Sequence, residues 1–148
     1  MAEKEKIKTK TRTEERKEVV IDAKGAVLGR MASFAAKQAL RGNMVAVVNA
    51  EQAVITGRQH IVLDDFLNKV RLGHTAQKGP LFSKMPTSIC SRTIRGMIGW
   101  KNRRGKVIFK NIKCYVGVPQ MYESSEKITF KHARGITLEK LSALSGQR

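Results

Sequence analysis

The stretch MVAVVNAEQAVITG, residues 44 to 57, constrains the fold of this chain more than any other. It opens with an unbroken apolar run, of the kind that lies in a parallel sheet with both faces covered, so Val45, Val47 and Val48 are expected in the sheet. A shorter β-branched run, Val19 to Ile21, precedes it and is stopped by Asp22 and Gly25. Between the two, Leu28 and the GRMASFAAKQALRG that follows it place Leu28, Met31, Ala32, Ala35 and Ala39 at helical spacing, and Gly42 ends that helix. From Arg58 a second helical stripe follows, formed by Ile61, Leu63, Phe66, Leu67 and Val70 and closed before Gly73. The pattern is βαβα, which predicts a crossover connection and helices packed on a parallel sheet.

The second half reads differently. Residues 73 to 91 hold Gly73, Gly79, Pro80 and Pro86 among scattered Ser and Thr, and are expected to form a long excursion. Structureless connections of that length are uncommon unless they serve a function. With Ser91 as a cap, a short helix is expected to carry Arg92, Thr93, Ile94, Arg95, Met97 and Ile98. After a turn at Gly99 a further helix begins near Asn102, with Arg103, Lys106 and Lys110 on one face and Val107 and Ile108 pointing elsewhere. KCYVGVP then reads as a last strand, extending the sheet until Pro119 closes it, and ITLEKLSAL as a weak C-terminal helix. The expected organisation is a mixed-charge, mobile extension over residues 1–18, one α/β domain over 19–122, and a tail with a short helix over 123–148.

Charge narrows the function. From Phe66 to Tyr122 the chain runs 57 residues without an Asp or Glu, yet this segment carries 12 Lys and Arg, so most of the formal net charge of +17 is contiguous. The flanking blocks mix both signs: 7 basic and 5 acidic groups in residues 1 to 18, 5 and 4 in 19 to 65, and 5 and 3 in 123 to 148. Solvated faces usually intersperse the signs, whereas a one-signed segment suits a polyanion that offsets its self-repulsion. Aromatics at 5% leave few platforms for stacking bases, which favours recognition of phosphate and shape.

Catalysis finds no support. Gly25 and Gly29 follow a strand at a helix start, but there is neither a three-glycine dinucleotide fingerprint nor a phosphate-loop Gly-Lys-Ser/Thr, and Glu51 is the only acidic residue near the second strand. Asp64 and Asp65 are adjacent, so on a helix they do not face each other as an acid/base pair. His60, His74 and His132 are scattered. Cys90 and Cys114 lack zinc-site spacing and read as reduced thiols. No catalytic residue, metal, cofactor, small-molecule substrate or membrane contact is therefore expected.

Five phrases resemble, in order and spacing, the thirteenth large-subunit ribosomal protein family, in the branch shared by archaea and eukaryotes. They are VIDAKGAVLGRMAS (Val20 to Ser33), VVNAEQAVITG (Val47 to Gly57), KGP (Lys78 to Pro80), RTIRGMI (Arg92 to Ile98) with the basic RRGK after it, and VGVP (Val116 to Pro119). The resemblance implies a three-layer α/β/α fold around a small parallel sheet of about four strands. It implies a structural, non-enzymatic role in the large ribosomal subunit, with large-subunit ribosomal RNA and neighbouring large-subunit proteins as partners, in the cytoplasm. Carried over by position, the RNA-binding residues would be Arg30, Lys78, Lys84, Arg92, Arg95, Lys101, Arg103, Arg104, Lys106, Lys110 and Lys113. Gly96 would let the helix approach RNA closely. The chain departs from the family where GMI is usually followed by Pro and an aromatic or His; Gly99 and Trp100 stand here instead, and Trp100 could stack on a base or fill a core gap. Two other classes stay open: an RNA-binding regulator working off the ribosome, and a small nucleotide-dependent α/β enzyme.

Overall fold

The computed structural model describes residues 17–72 and 82–146. Four strands, β1 (Glu18–Asp22), β2 (Met44–Val48), β4 (Ile112–Cys114) and β5 (Lys127–Ile128), form one sheet in the order β4-β2-β1-β5, every pairing parallel. A two-stranded antiparallel sheet pairs β3 (Val54–Ile55) with β6 (Ile136–Thr137). Five helices complete the fold: α1 (Leu28–Leu40), α2 (Gln59–Arg71), α3 (Pro86–Ile98), α4 (Arg103–Phe109) and α5 (Leu138–Gly146).

Strand register divides the residues of the sheet into two sets. Val19, Ile21, Val45, Val47, Ile112 and Cys114 belong to a large core that includes Met31, Ala32, Ala35 and Ala39 of α1 and Cys90, Ile94 and Ile98 of α3. The small alanine stripe of α1 lets it sit close against both β2 and α3. The alternate residues, Val20, Ala46 and Val48, belong to a smaller cluster closed by Tyr122 with Tyr115 and Val118. A 3-10 turn at Gln120–Tyr122 brings Tyr122 there, and its hydroxyl donates to Glu18 Oε1 at 2.7 Å. That carboxylate partner, with burial, raises the Tyr122 phenol above the usual tyrosine range.

All five predicted core residues of α1 are buried, and Val45, Val47 and Val48 lie in β2 as expected. The stripe of α2 is only partly used: Leu67 and Val70 are buried, but Ile61 is 47% exposed. Helix α3 begins at Pro86, five residues before the expected cap at Ser91. Proline at the first helical position loses no hydrogen bond and brings its φ ready-made, so Pro86 starts a helix where the sequence pattern suggests a breaker. KCYVGVP is not the last strand: β4 starts at Ile112 and ends at Cys114, and β5 and β6 follow. Residues 123–146, expected as a tail, supply β5, β6 and α5, whose Leu138 and Leu141 are fully buried; Ile136 and Thr137 pair as strand rather than joining the helix. The expected extension lies, but for Lys17 and Glu18, outside the described residues.

Candidate nucleic-acid interface

Parallel α/β sheets usually bind ligands beyond the carboxyl ends of their strands. In this chain that edge is occupied by its own polar groups. Asp22, at the end of β1, accepts from the Lys24 N–H and from Asn49 Nδ2, both at 2.9 Å through Oδ1. Asn49 holds the left-handed conformation (φ 54°) that turns the chain out of β2, and its N–H donates to Gly117 O at 2.9 Å. The Gly117 N–H in turn reaches both Glu51 oxygens, at 3.2 and 3.1 Å, from a φ of +65° that favours glycine. Three of the recognisable phrases, VIDAKG, VVNAEQ and VGVP, thus meet in one polar belt. Glu51 braces the VGVP turn, and no three His, Cys, Asp or Glu side chains among the described residues are grouped to hold a metal ion.

The basic residues lie elsewhere. Arg92 and Arg95 stand one turn apart on α3, Arg92 exposed and Arg95 half-buried, and Lys101, Arg103, Arg104, Lys106 and Lys110 are all exposed on the turn and helix that follow. A tight junction makes α3 and α4 one ridge. Gly99 ends α3 at φ +66°, a left-handed conformation that glycine adopts readily and proline cannot. The Asn102 N–H donates back to Gly99 O at 3.1 Å. Gly105 is buried against this corner: a Cβ there would lie 2.6 Å from Gly99 O and 2.9 Å from Trp100 Cα. Gly96 is the opposite case: among the described residues nothing lies within 4 Å of the place a Cβ would take.

Trp100 neither fills the core nor projects alone. It is 39% exposed, with the Arg95 guanidinium 4.7 Å and the Lys106 ammonium 5.9 Å from its ring centroid. Such cation–π contacts hold both charges at the surface without neutralising them. Arg92 lies over Phe82 in the same manner, at 3.7 Å. Val107 is 60% exposed beside the basic stripe, and Ile108 and Phe109 make the packing side of α4.

Among the described residues, three of the predicted binding residues fall outside the ridge. Lys113 sits between Ile112 and Cys114 on β4 in register with Ala46, so it stands on the Tyr122 face of the sheet rather than with the helices. Arg30 is exposed in the first turn of α1, just past the carboxyl end of β1, whereas Lys110 immediately precedes β4 at its amino end. Lys84 donates to Ser145 O at 2.7 Å, satisfying a carbonyl in the last turn of α5. Lys78 lies outside the described residues. Lys69 of α2, absent from the predicted set, joins Arg92 and Arg95 around a cavity walled by Phe66, Phe82 and Phe109. Its position inside the acid-free segment was the available signal.

The cysteines, 24 residues apart, meet across the seam between α3 and β4, where their Sγ atoms share a hydrogen bond at 3.7 Å. That contact and burial push the Cys90 thiol far above the usual cysteine range, which keeps it protonated and unreactive. Both are free thiols.

The comparison with known sequences decides the family. The profile described as ribosomal protein L13 matches residues 16–121. The chain belongs to the ribosomal protein L13 family. Among its relatives, the large ribosomal subunit protein uL13 of Methanopyrus kandleri is 42% identical over 72% of this chain and 66% of its own length. The uL13 protein of Archaeoglobus fulgidus is 41% identical over 83% of this chain and 76% of its own length. That of Methanocaldococcus jannaschii is 40% identical over 87% and 98%. Members of this family are structural ribosomal proteins, not enzymes. No helix among the described residues is long and apolar enough to cross a membrane.

Proposed function

We propose that this protein is a structural constituent of the large ribosomal subunit that holds folded ribosomal RNA through the α3–α4 ridge, supporting subunit assembly and translation in the cytoplasm. The observation that carries this reading is the ridge itself: seven Lys and Arg side chains on one helix–turn–helix unit, in a segment without any acidic residue. Their mode of action is phosphate contact and shape recognition, which positions RNA without reading its sequence. Gly96, open on the outer side of α3, lets a sugar–phosphate strand come against the helix backbone.

Sedimentation of a native lysate through a high-salt sucrose gradient tests the reading. Comigration with the large subunit through the wash is the expected result, and release to the top would make the protein an RNA binder working off the ribosome. With isolated RNA, neutralising about 6 to 10 phosphates should lower affinity about 10³- to 10⁵-fold between 50 and 200 mM salt. A flat salt response would exclude the electrostatic mechanism.

A further inference from the structure

The cavity beside the ridge has a composition that phosphate contacts alone do not require. Its volume is about 520 Å³, within the range of small-ligand sites, and three of the five phenylalanines of the chain, Phe66, Phe82 and Phe109, form its walls. Phe66 and Phe109 also pack against the core, so the walls are anchored. Lys69, Arg92 and Arg95 supply the basic groups, and Ser88 and Ser91 of α3 place hydroxyls among them. A duplex backbone lying on the ridge would leave this hollow empty, and a phosphate group alone would meet its charged groups but not its apolar walls.

We propose that this cavity receives one unpaired nucleotide extruded from the bound ribosomal RNA, its base between the phenyl rings and its phosphates on Lys69, Arg92 and Arg95. The inference rests on the RNA-binding reading above and adds a specific subsite to it. Single-stranded and bulged nucleotides are recognised through stacking on aromatic rings or guanidinium planes, and the cavity offers both, since Arg92 already lies over the Phe82 ring. Seryl hydroxyls can donate to or accept from any base edge, so the site would hold a base without strict identity. The low overall aromatic content conceals this arrangement because the rings come from α2, the residue range ahead of α3, and α4.

Fluorescence anisotropy with the full chain and three hairpins sharing one stem tests the proposal: fully paired, carrying a single-adenosine bulge, and carrying an abasic bulge at the same place. The adenosine bulge should bind at least about fivefold tighter than the abasic bulge, the low end of the effect of stacking one base. Ser88→Phe, which puts a ring into the cavity, should abolish that preference while binding of the paired hairpin is kept; this separates the cavity from stacking on Trp100. Equal binding of all three hairpins, or a base preference that survives Ser88→Phe in a variant whose melting shows it folded, would overturn the subsite and leave the ridge standing. Failure of all three to bind would overturn the RNA-binding reading itself.

Discussion

The carboxyl edge of the sheet and the α3–α4 ridge are built on opposite plans. At the edge, Asp22, Asn49, Glu51 and Gly117 bond to one another, so their polar capacity is spent within the fold. On the ridge, Arg95 and Lys106 lie over the Trp100 ring, and Lys101, Arg103, Arg104 and Lys110 stand exposed. An α/β core can thus close its strand ends on themselves while a helical appendage carries the basic side chains. Substitutions should therefore separate cleanly: belt changes alter stability, ridge changes alter RNA affinity.

The largest effect is expected from Arg92→Gln, Arg95→Gln, Arg103→Gln and Arg104→Gln combined. RNA affinity should fall at least about 10²-fold at moderate salt, and the slope of log affinity against log salt should flatten by about 3, at roughly 0.7 to 0.9 for each phosphate no longer neutralised. Arg30→Gln with Lys113→Gln is the control, and an equal loss there would break the assignment of the ridge. Next comes Gly105→Ala, where the added methyl meets the Gly99 carbonyl; a loss of about 2–3 kcal/mol in denaturant unfolding is expected from overpacking a corner made of backbone. In the belt, Glu51→Gln removes the charge that both contacts to the Gly117 N–H rely on. Stability should drop by about 1–2 kcal/mol with RNA affinity unchanged, and altered affinity would erase the distinction between the two regions.

Tyr122 gives a pH signature. Its folded phenol titrates above the unfolded value of about 10, so its contribution is fully present below pH 10 and is lost as pH rises further. Tyr122→Phe should cost about 1 kcal/mol at neutral pH and reduce the loss of stability of the wild type in alkaline solution; identical alkaline melts would dismiss the Glu18 contact. The smallest effect belongs to Gly96→Ala. Calorimetry should show a gain of up to about 1 kcal/mol, since glycine is a poor helix former and no atom of the described residues lies near the added methyl, while RNA binding weakens.

Sequence made the central sheet and α1 legible because strands buried on both faces read as apolar runs and α1 keeps a strict small-residue stripe. The two-residue strands β5 and β6 carry no periodic signal and exist only through pairing with distant partners. Charge marked the basic segment but not the place of each residue in it. Lys113 could have been placed on the face opposite its apolar neighbours Ile112 and Cys114 from alternation alone. Lys84 could not, because its acceptor lies 61 residues away on α5, and the wall of Phe66, Phe82 and Phe109 is likewise a product of tertiary assembly.

The Gly99–Gly105 corner bears on the order in which the molecule comes together. Its contacts join residues six apart or fewer, whereas completing the sheet requires Val20 of β1 to find Lys127 of β5, 107 positions away. Local contacts form fast and distant ones slowly, because loop-closure entropy grows with separation. The helical hairpin can thus take shape within its own stretch of chain before β1 and β5 have met, so the basic ridge precedes the sheet that carries it.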